Sequence, residues 1–274
     1  MIRPLILATA YLLSFSPIAH ADSADLIDFL AGQGCAIGPS TRAAAITAGF
    51  TEEQIDGLAA LAKPDPETIE TGDWLVLPPS QCTIRVPVID HALNLDDPDV
   101  ALTFSDIDAH AADGDPGCFL DSDALRRGLR LSRGWDNDRA TIEYIRLVGA
   151  SLASGDMAFY GDSPLRTPVG FSLLRGDCAQ IPQIKEIRNS HRVLIENFDH
   201  IIRENAKLLN CTEDAPPNSM KFDDIIAKLD GRPNTNAWLW MEGMMIVLAA
   251  GWYEGMTGTE KGIPRPPLCH YGDS

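Results

Sequence analysis

Six cysteines constrain this chain more than any other feature, because four of them recur in matching surroundings. "GQGCAIGPSTRAAAITAGF" (32–50) and "DPGCFLDSDALRRGLRLSRGW" (115–135) each place a Gly-Cys pair before a short helical pattern, and each closes that pattern with glycine and an aromatic residue. After the first, Thr51 and Gln54 stand at capping-box spacing, and Ile55, Leu58, Leu61 and Ala62 give the next helix an apolar stripe. After the second, Asp136 caps a helix that turns Ile142, Ile145 and Val148 inward. Both copies continue with Gly-Asp, an apolar strand, a proline-containing turn and a return strand, so a hairpin, and each hairpin region carries a further cysteine, Cys82 or Cys178. Helical patterns, "DLIDFLAGQGC" and "SDIDAHAADGDPGC", precede the two Gly-Cys pairs.

Helix, cysteine, helix, helix, hairpin, cysteine resembles a winged helix in its order of elements. The expected fold is mainly α with small β-hairpins: two tandem winged-helix-like units followed by a C-terminal helical pair, stapled by disulfides. Six cysteines allow fifteen connectivities. Equivalence of the two units selects Cys35–Cys82 and Cys118–Cys178, and elimination leaves Cys211–Cys269. Zinc is not expected, because no C-x-x-C pair exists.

Residues 1–21 read as a signal peptide: Arg3, an apolar stretch from Pro4 to Pro17, and a small-x-small cleavage site at Ala19-His20-Ala21. The stretch is too short for a spanning helix, and none is expected after its removal. An exported chain lies in an oxidising compartment, periplasmic or secreted, where six cysteines form disulfides. The formal charge is −17, and loss of Arg3 makes it −18. Such acidity repels nucleic acid and anionic membranes, both of which require Lys/Arg surfaces.

The expected organisation is a first unit at 22–89, an acidic linker at 90–105, a second unit at 106–178 and a helical region at 179–274. Between Asp90 and Asp123 the chain is rich in Asp and lacks Lys and Arg. A solvated linker is the plain reading; Asp106, Asp108, Asp113 and Asp115 are oxygen donors for calcium, but their spacing is not that of an EF-hand. In the C-terminal region, Ile184, Ile187, His191, Leu194, Phe198, Ile201, Asn205 and Leu208 follow 3-4 spacing, with His191 a hydrogen-bonded core histidine. This predicts one central helix, with "NAWLWMEGMMIVLAAGWYEG" (236–255) as its partner and Glu242 buried near an edge. The proline-rich end is expected to be pinned by Cys269 alone.

No catalytic, phosphate-binding or cofactor motif occurs, so no cofactor is expected. His200 and Glu204, at i and i+4, are the one pair that could serve an envelope-acting hydrolase. "RGD" at Arg175–Asp177 is a tripeptide of no weight by itself. The distinctive feature is charge. The helix after Cys118 carries Arg126, Arg127, Arg130 and Arg133, with Arg139 beyond, and Arg126, Arg130 and Arg133 form one stripe beside Leu125 and Leu129. Either this stripe pairs with the acidic run upstream, or it binds an anionic small molecule or a protein partner's carboxylates. The second reading makes the chain a non-catalytic binding protein with Arg126, Arg130 and Arg133 as its contact surface.

Overall fold

In the computed structural model, which describes residues 18–105, 117–160, 170–211, 220–229 and 236–272, helix α1 (Ile18–Gly32) sends Leu26, Leu30 and Ala31 into the core. Gly34 then turns the chain with φ +81° into β1 (Ala36–Ile37). A Cβ on Gly34 would stand 2.4 Å from Pro267 Cδ, so the close approach of the C-terminal tail requires glycine as much as the turn does. Helices α2 (Pro39–Thr47) and α3 (Glu52–Ala62) follow, then β2 (Ile69–Thr71) and β3 (Trp74–Val76), and the sheet runs in the order β1-β3-β2. The capping box opens α3: Thr51 N donates to Gln54 Oε1 at 2.7 Å, and Gln54 N to Thr51 Oγ1 at 3.3 Å. Ile55, Leu58 and Ala62 are buried as the stripe requires; Leu61 is 74% exposed and lies off it.

The next stretch forms α4 (Pro98–Ala101), β4 (Phe104–Ser105), β5 (Phe119–Leu120), α5 (Ser122–Ser132), α6 (Asn137–Ser154), β6 (Met157–Tyr160) and β7 (Gly170–Leu173). All pairings are antiparallel and the strand order is β4-β5-β7-β6. Without β4, the order β5-β7-β6 repeats β1-β3-β2, and in both halves two helices separate the first strand from the second.

The hairpins are less alike than their sequences. Gly72-Asp73 forms the two-residue turn between β2 and β3, where Thr71 faces Trp74 and Gly72 takes φ +55°. Gly155-Asp156 instead ends α6, with Gly155 at φ +79° as its left-handed cap, and β6 begins afterwards. The expected return strand after Pro78-Pro79 is therefore not a strand; the partner of β3 lies before Gly72.

Residues 90–105 correct the linker expectation. Leu93, Leu95, Val100 and Phe104 are buried, and β4 extends the second sheet, so this stretch belongs to the packed body despite its aspartates. Asp106, Asp108, Asp113 and Asp115 lie outside the described residues.

After a 3-10 turn at Gly176–Ala179 come α7 (Ile184–Glu196), α8 (Phe198–Ala206), α9 (Phe222–Ile226), α10 (Leu239–Ala249), β8 (Tyr253–Glu254) and β9 (Ile263–Pro264). The single helix expected over this region is broken at Asn197, whose Nδ2 donates to the Val193 carbonyl at 2.8 Å; such side-chain bonds compete with the helix ladder. The main partner of α10 is α6 rather than this pair. Gly149 allows that contact, since a Cβ there would meet Ala249 Cβ at 2.2 Å. Asn205 does hold a polar core position: Nδ2 donates to Leu268 O at 2.7 Å and Oδ1 accepts from Lys221 N at 2.8 Å.

The tail is held by far more than Cys269. Pro264 through Cys269 are buried, and the Arg265 guanidinium lies 5.2 Å from the Trp74 ring centre and 5.5 Å from that of Trp252. Arg265 Nη1 donates to the Gln33 and Pro266 carbonyls at 3.3 and 2.8 Å. Stacking and carbonyl acceptors take the place of a carboxylate for this buried charge.

Disulfides join Cys35–Cys82, Cys118–Cys178 and Cys211–Cys269, the three pairs that the two-unit reading selects. About half of the described residues are helical, the sheets are small and antiparallel, and no described helix is long and apolar enough to cross a membrane.

Candidate partner-binding surface

Helix α5 forms because Asp121 caps it, accepting from Asp123 N at 3.0 Å and Ala124 N at 2.8 Å, and because Leu125 and Leu129 are fully buried along one face. The same periodicity delivers its arginines to the other faces, where their environments diverge.

Arg133, at the C-cap, is a structural clamp. Its Nε and Nη2 each donate at 2.8 Å to the two carboxylate oxygens of Asp99, and Nη2 reaches Asp97 Oδ2 at 2.7 Å. The clamp holds the Asp99 carboxyl well below the usual carboxylate range and raises the guanidinium above its own. Asp97 is also lowered, first by the Asn94 backbone N–H and then by Arg133. Arg133 thus joins α5 to α4 and is removed from the expected contact stripe. Replacing it by Ala leaves two partly buried carboxylates without their cation, Asp97 keeping the Asn94 N–H and Asp99 the Ser132 hydroxyl. We expect Arg133→Ala to cost ~2 kcal/mol in urea unfolding, discounted for the quarter exposure of all three side chains. Arg130→Ala, on open surface, is expected to change the unfolding free energy by no more than ~0.5 kcal/mol.

Arg126 is partly spent: it pairs with Asp123 one turn earlier, and its guanidinium lies 5.6 Å from the Tyr144 ring centre. The Tyr144 hydroxyl donates to Ser122 Oγ at 2.9 Å, and burial raises its pKa. Arg130 and Arg127 are exposed and make no ion pair among the described residues. Arg139 is exposed as well, and stacks 4.5 Å from the ring centre of Trp135, on whose ring Arg133 also rests at 5.4 Å. Leu131, 87% exposed, adds an apolar side chain next to Arg130. Four exposed arginines among the described residues lack an acidic partner: Arg127, Arg130, Arg139 and Arg188. Three of these four fall within α5 and the first turn of α6. The open arginines of α5 and the start of α6 are therefore Arg127, Arg130 and Arg139, the last stacked on Trp135, with Arg126 partly committed to Asp123.

Sequence reasoning passed over Trp135 and Tyr144 because an aromatic near a helix end signals core before it signals a guanidinium platform. It ranked Arg127 below Arg133 because periodicity places side chains on faces but says nothing of which charges a folded loop brings opposite them.

The other sequence candidates stand apart. His200 is exposed, and the Glu204 carboxylate accepts from Lys207 Nζ at 2.6 Å, which, ahead of the His200 charge, lowers its pKa. His191 packs on Gly155 with its Nδ1 buried and unpaired among the described residues, so the expected hydrogen bond is absent there, and burial lowers its pKa. Glu242 is 2% exposed; its Oε1 accepts from Phe159 N at 2.9 Å and Asn236 Nδ2 at 2.7 Å, and burial raises its pKa to about 7. Arg175 of the "RGD" stretch pairs with Asp96 at 2.8 Å. Among the described residues no three His, Cys, Asp or Glu side chains gather as a metal site.

Comparison with protein-family models, with curated proteins and with solved structures finds no match to this chain.

Proposed function

We propose that the protein is an exported binding or interaction protein, without catalytic function, that engages carboxylates of a partner through the arginine surface of α5 and the start of α6. The observation that carries this reading is the clustering of unpaired arginines in a chain whose acids outnumber its bases by 39 to 22. In such a chain an exposed arginine has abundant acid to pair with, and Arg133 shows how close that acid lies. Arg127, Arg130 and Arg139 remain open, and arginine's planar fork matches a carboxylate in two-point contact.

On this reading residues 1–21 are cleaved as a signal peptide, and the three disulfides fit an oxidising periplasmic or extracellular location. The two halves are duplicated winged-helix-like units serving as scaffold. Nucleic acid is not the partner: α3, which takes the place of a groove-reading helix, exposes Glu52, Glu53 and Asp56, and Arg42 is tied to Glu52 and Asp56 at 3.4 and 2.8 Å.

The test is charge reversal of the three open arginines. The variant Arg127→Glu/Arg130→Glu/Arg139→Glu is expected to melt within a few degrees of the parent, because among the described residues none of the three holds another element by an ion pair. A protein captured by the parent at low salt is expected to be lost from this variant and from the parent at high salt. Equal capture by both, at both salt concentrations, refutes the assignment of this surface.

A further inference from the structure

A cavity of about 400 Å³ opens where β2, β3, α8 and the C-terminal tail meet, away from the arginine surface and independent of its role. Its apolar wall is Ile69, Val76, Ala206 and Pro267, with Cys269 of the third disulfide beside them. Its titratable wall is unusual for this chain: Arg203, Lys207 and His270 line it against one acid, Glu70, which is itself paired with Lys63 at 3.3 Å. Arg203 and Lys207 are paired with Asp199 and Glu204, so an anion entering the cavity meets a cation by exchange with one of these carboxylates.

The basic groups differ in availability. Arg203 is committed: Nε donates to Asp199 at 3.0 Å, Nη1 to Leu77 O at 3.1 Å and Nη2 to Cys82 O at 2.8 Å, so it builds the wall. Among the described residues Lys207 is held only by Glu204, in an exposed i,i+3 pair of the kind that contributes little and is readily exchanged. His270 is held in the wall by its Nδ1, which donates to the Ala206 carbonyl at 2.7 Å. Tyr271 is fixed by its backbone, N donating to Thr71 Oγ1 at 2.6 Å, so the tail presents its side chain to the cavity from a set position.

We propose that this cavity binds a small amphipathic monoanion, its carboxylate at Lys207 and its hydrocarbon body on Ile69, Val76 and Pro267. A short apolar wall with a cationic group at one end fits an alkyl carboxylate, and the volume accommodates a chain of eight carbons.

Isothermal titration of the intact, oxidised protein with octanoate, octan-1-ol and octylammonium tests the class directly. Octanoate is expected to bind saturably with a dissociation constant below ~1 mM, octan-1-ol at least ~5-fold more weakly and octylammonium not measurably. Lys207→Ala is expected to weaken octanoate about 5- to 10-fold without affecting octan-1-ol, and Ile69→Asp to abolish octanoate binding. Both positions are exposed enough for the variants to fold, Ile69 at 40%, and near-ultraviolet circular dichroism verifies it. No saturable octanoate binding up to 10 mM, on the order of ten times the expected constant, overturns the proposal. So does equal affinity for the alcohol, a measurement on the parent protein that no folding defect can confuse. Binding of octanoate that neither substitution changes places the ligand elsewhere and overturns it as well.

Discussion

Full reduction of the three disulfides is expected to unfold the protein at neutral pH without denaturant. The bridges close loops of 47, 60 and 58 residues. In the chain-entropy estimate each removes ~4 kcal/mol of freedom from the unfolded chain, together on the order of 12 kcal/mol. Domains of this kind have net stabilities of about 5–15 kcal/mol, so the reduced chain falls near or below zero. Position reinforces the number. Cys211–Cys269 is the covalent anchor of the tail whose Arg265 lies between Trp74 and Trp252, so its loss leaves that segment to its packing and hydrogen bonds alone. Replacing Cys211 and Cys269 together by Ala is expected to lower stability by ~4 kcal/mol and to expose Trp252, which is now fully buried. Thermal melting and tryptophan emission, with and without reductant, give the answer. A reduced protein that still melts cooperatively within a few degrees of the oxidised one refutes the expectation.

The second large effect is a pH dependence that originates at Glu242. Its carboxyl is buried among Phe159, Asn236 and the start of α10, and burial pushes its pKa up to about 7 from an ordinary 4.5. The unfolded chain therefore releases this proton near pH 4.5 and the folded chain holds it until about pH 7. Within that window folding takes up a proton, so stability falls as pH rises, levelling off above pH 7. The span corresponds to roughly 3 kcal/mol, an order-of-magnitude figure for a fully buried group. Glu242→Gln keeps the oxygen that accepts from Phe159 N and Asn236 Nδ2 and removes the titration. The variant is expected to match the parent near pH 5, to exceed it by up to ~3 kcal/mol at pH 8, and to lose most of the slope between. Glu242→Ala leaves both buried donors unmet and is expected to destabilise at every pH, by ~2–4 kcal/mol. Urea unfolding at pH 5, 6 and 8 separates these outcomes. An unchanged slope in Glu242→Gln assigns the titration to another group.

Much of the local structure was legible because it is decided within a few residues. The Thr51–Gln54 capping box, the Asp136 cap, the buried Leu125 and Leu129 of α5, and β6 with β7 all follow from spacing and cap chemistry. The arginines were visible as an uneven charge distribution, and pairing with upstream acid was one of the two readings their position allowed. What spacing could not do was divide them: Arg133 faces Asp97 and Asp99 only because α4 packs on α5. Asp-rich composition made residues 90–105 look solvated. Yet Leu93, Leu95, Val100 and Phe104 are spaced closely enough to fill the core while the aspartates between them stay at the surface or meet Arg133.

By itself the sequence pointed to the cysteine pairs that the structure joins, since four of the six lie in segments of like pattern and leave one pair over, and it set where α3 and α6 start, since Thr51 and Asp136 cap the nearest backbone. The tertiary structure alone decided the rest. It set the role of each arginine, the partner of α10, the break at Asn197 and the burial of a proline-rich tail against Trp74 and Trp252. Caps and periodicity are properties of neighbours along the chain. Charge pairing and burial depend on which distant segments the fold brings within a few ångströms, and no local pattern encodes that.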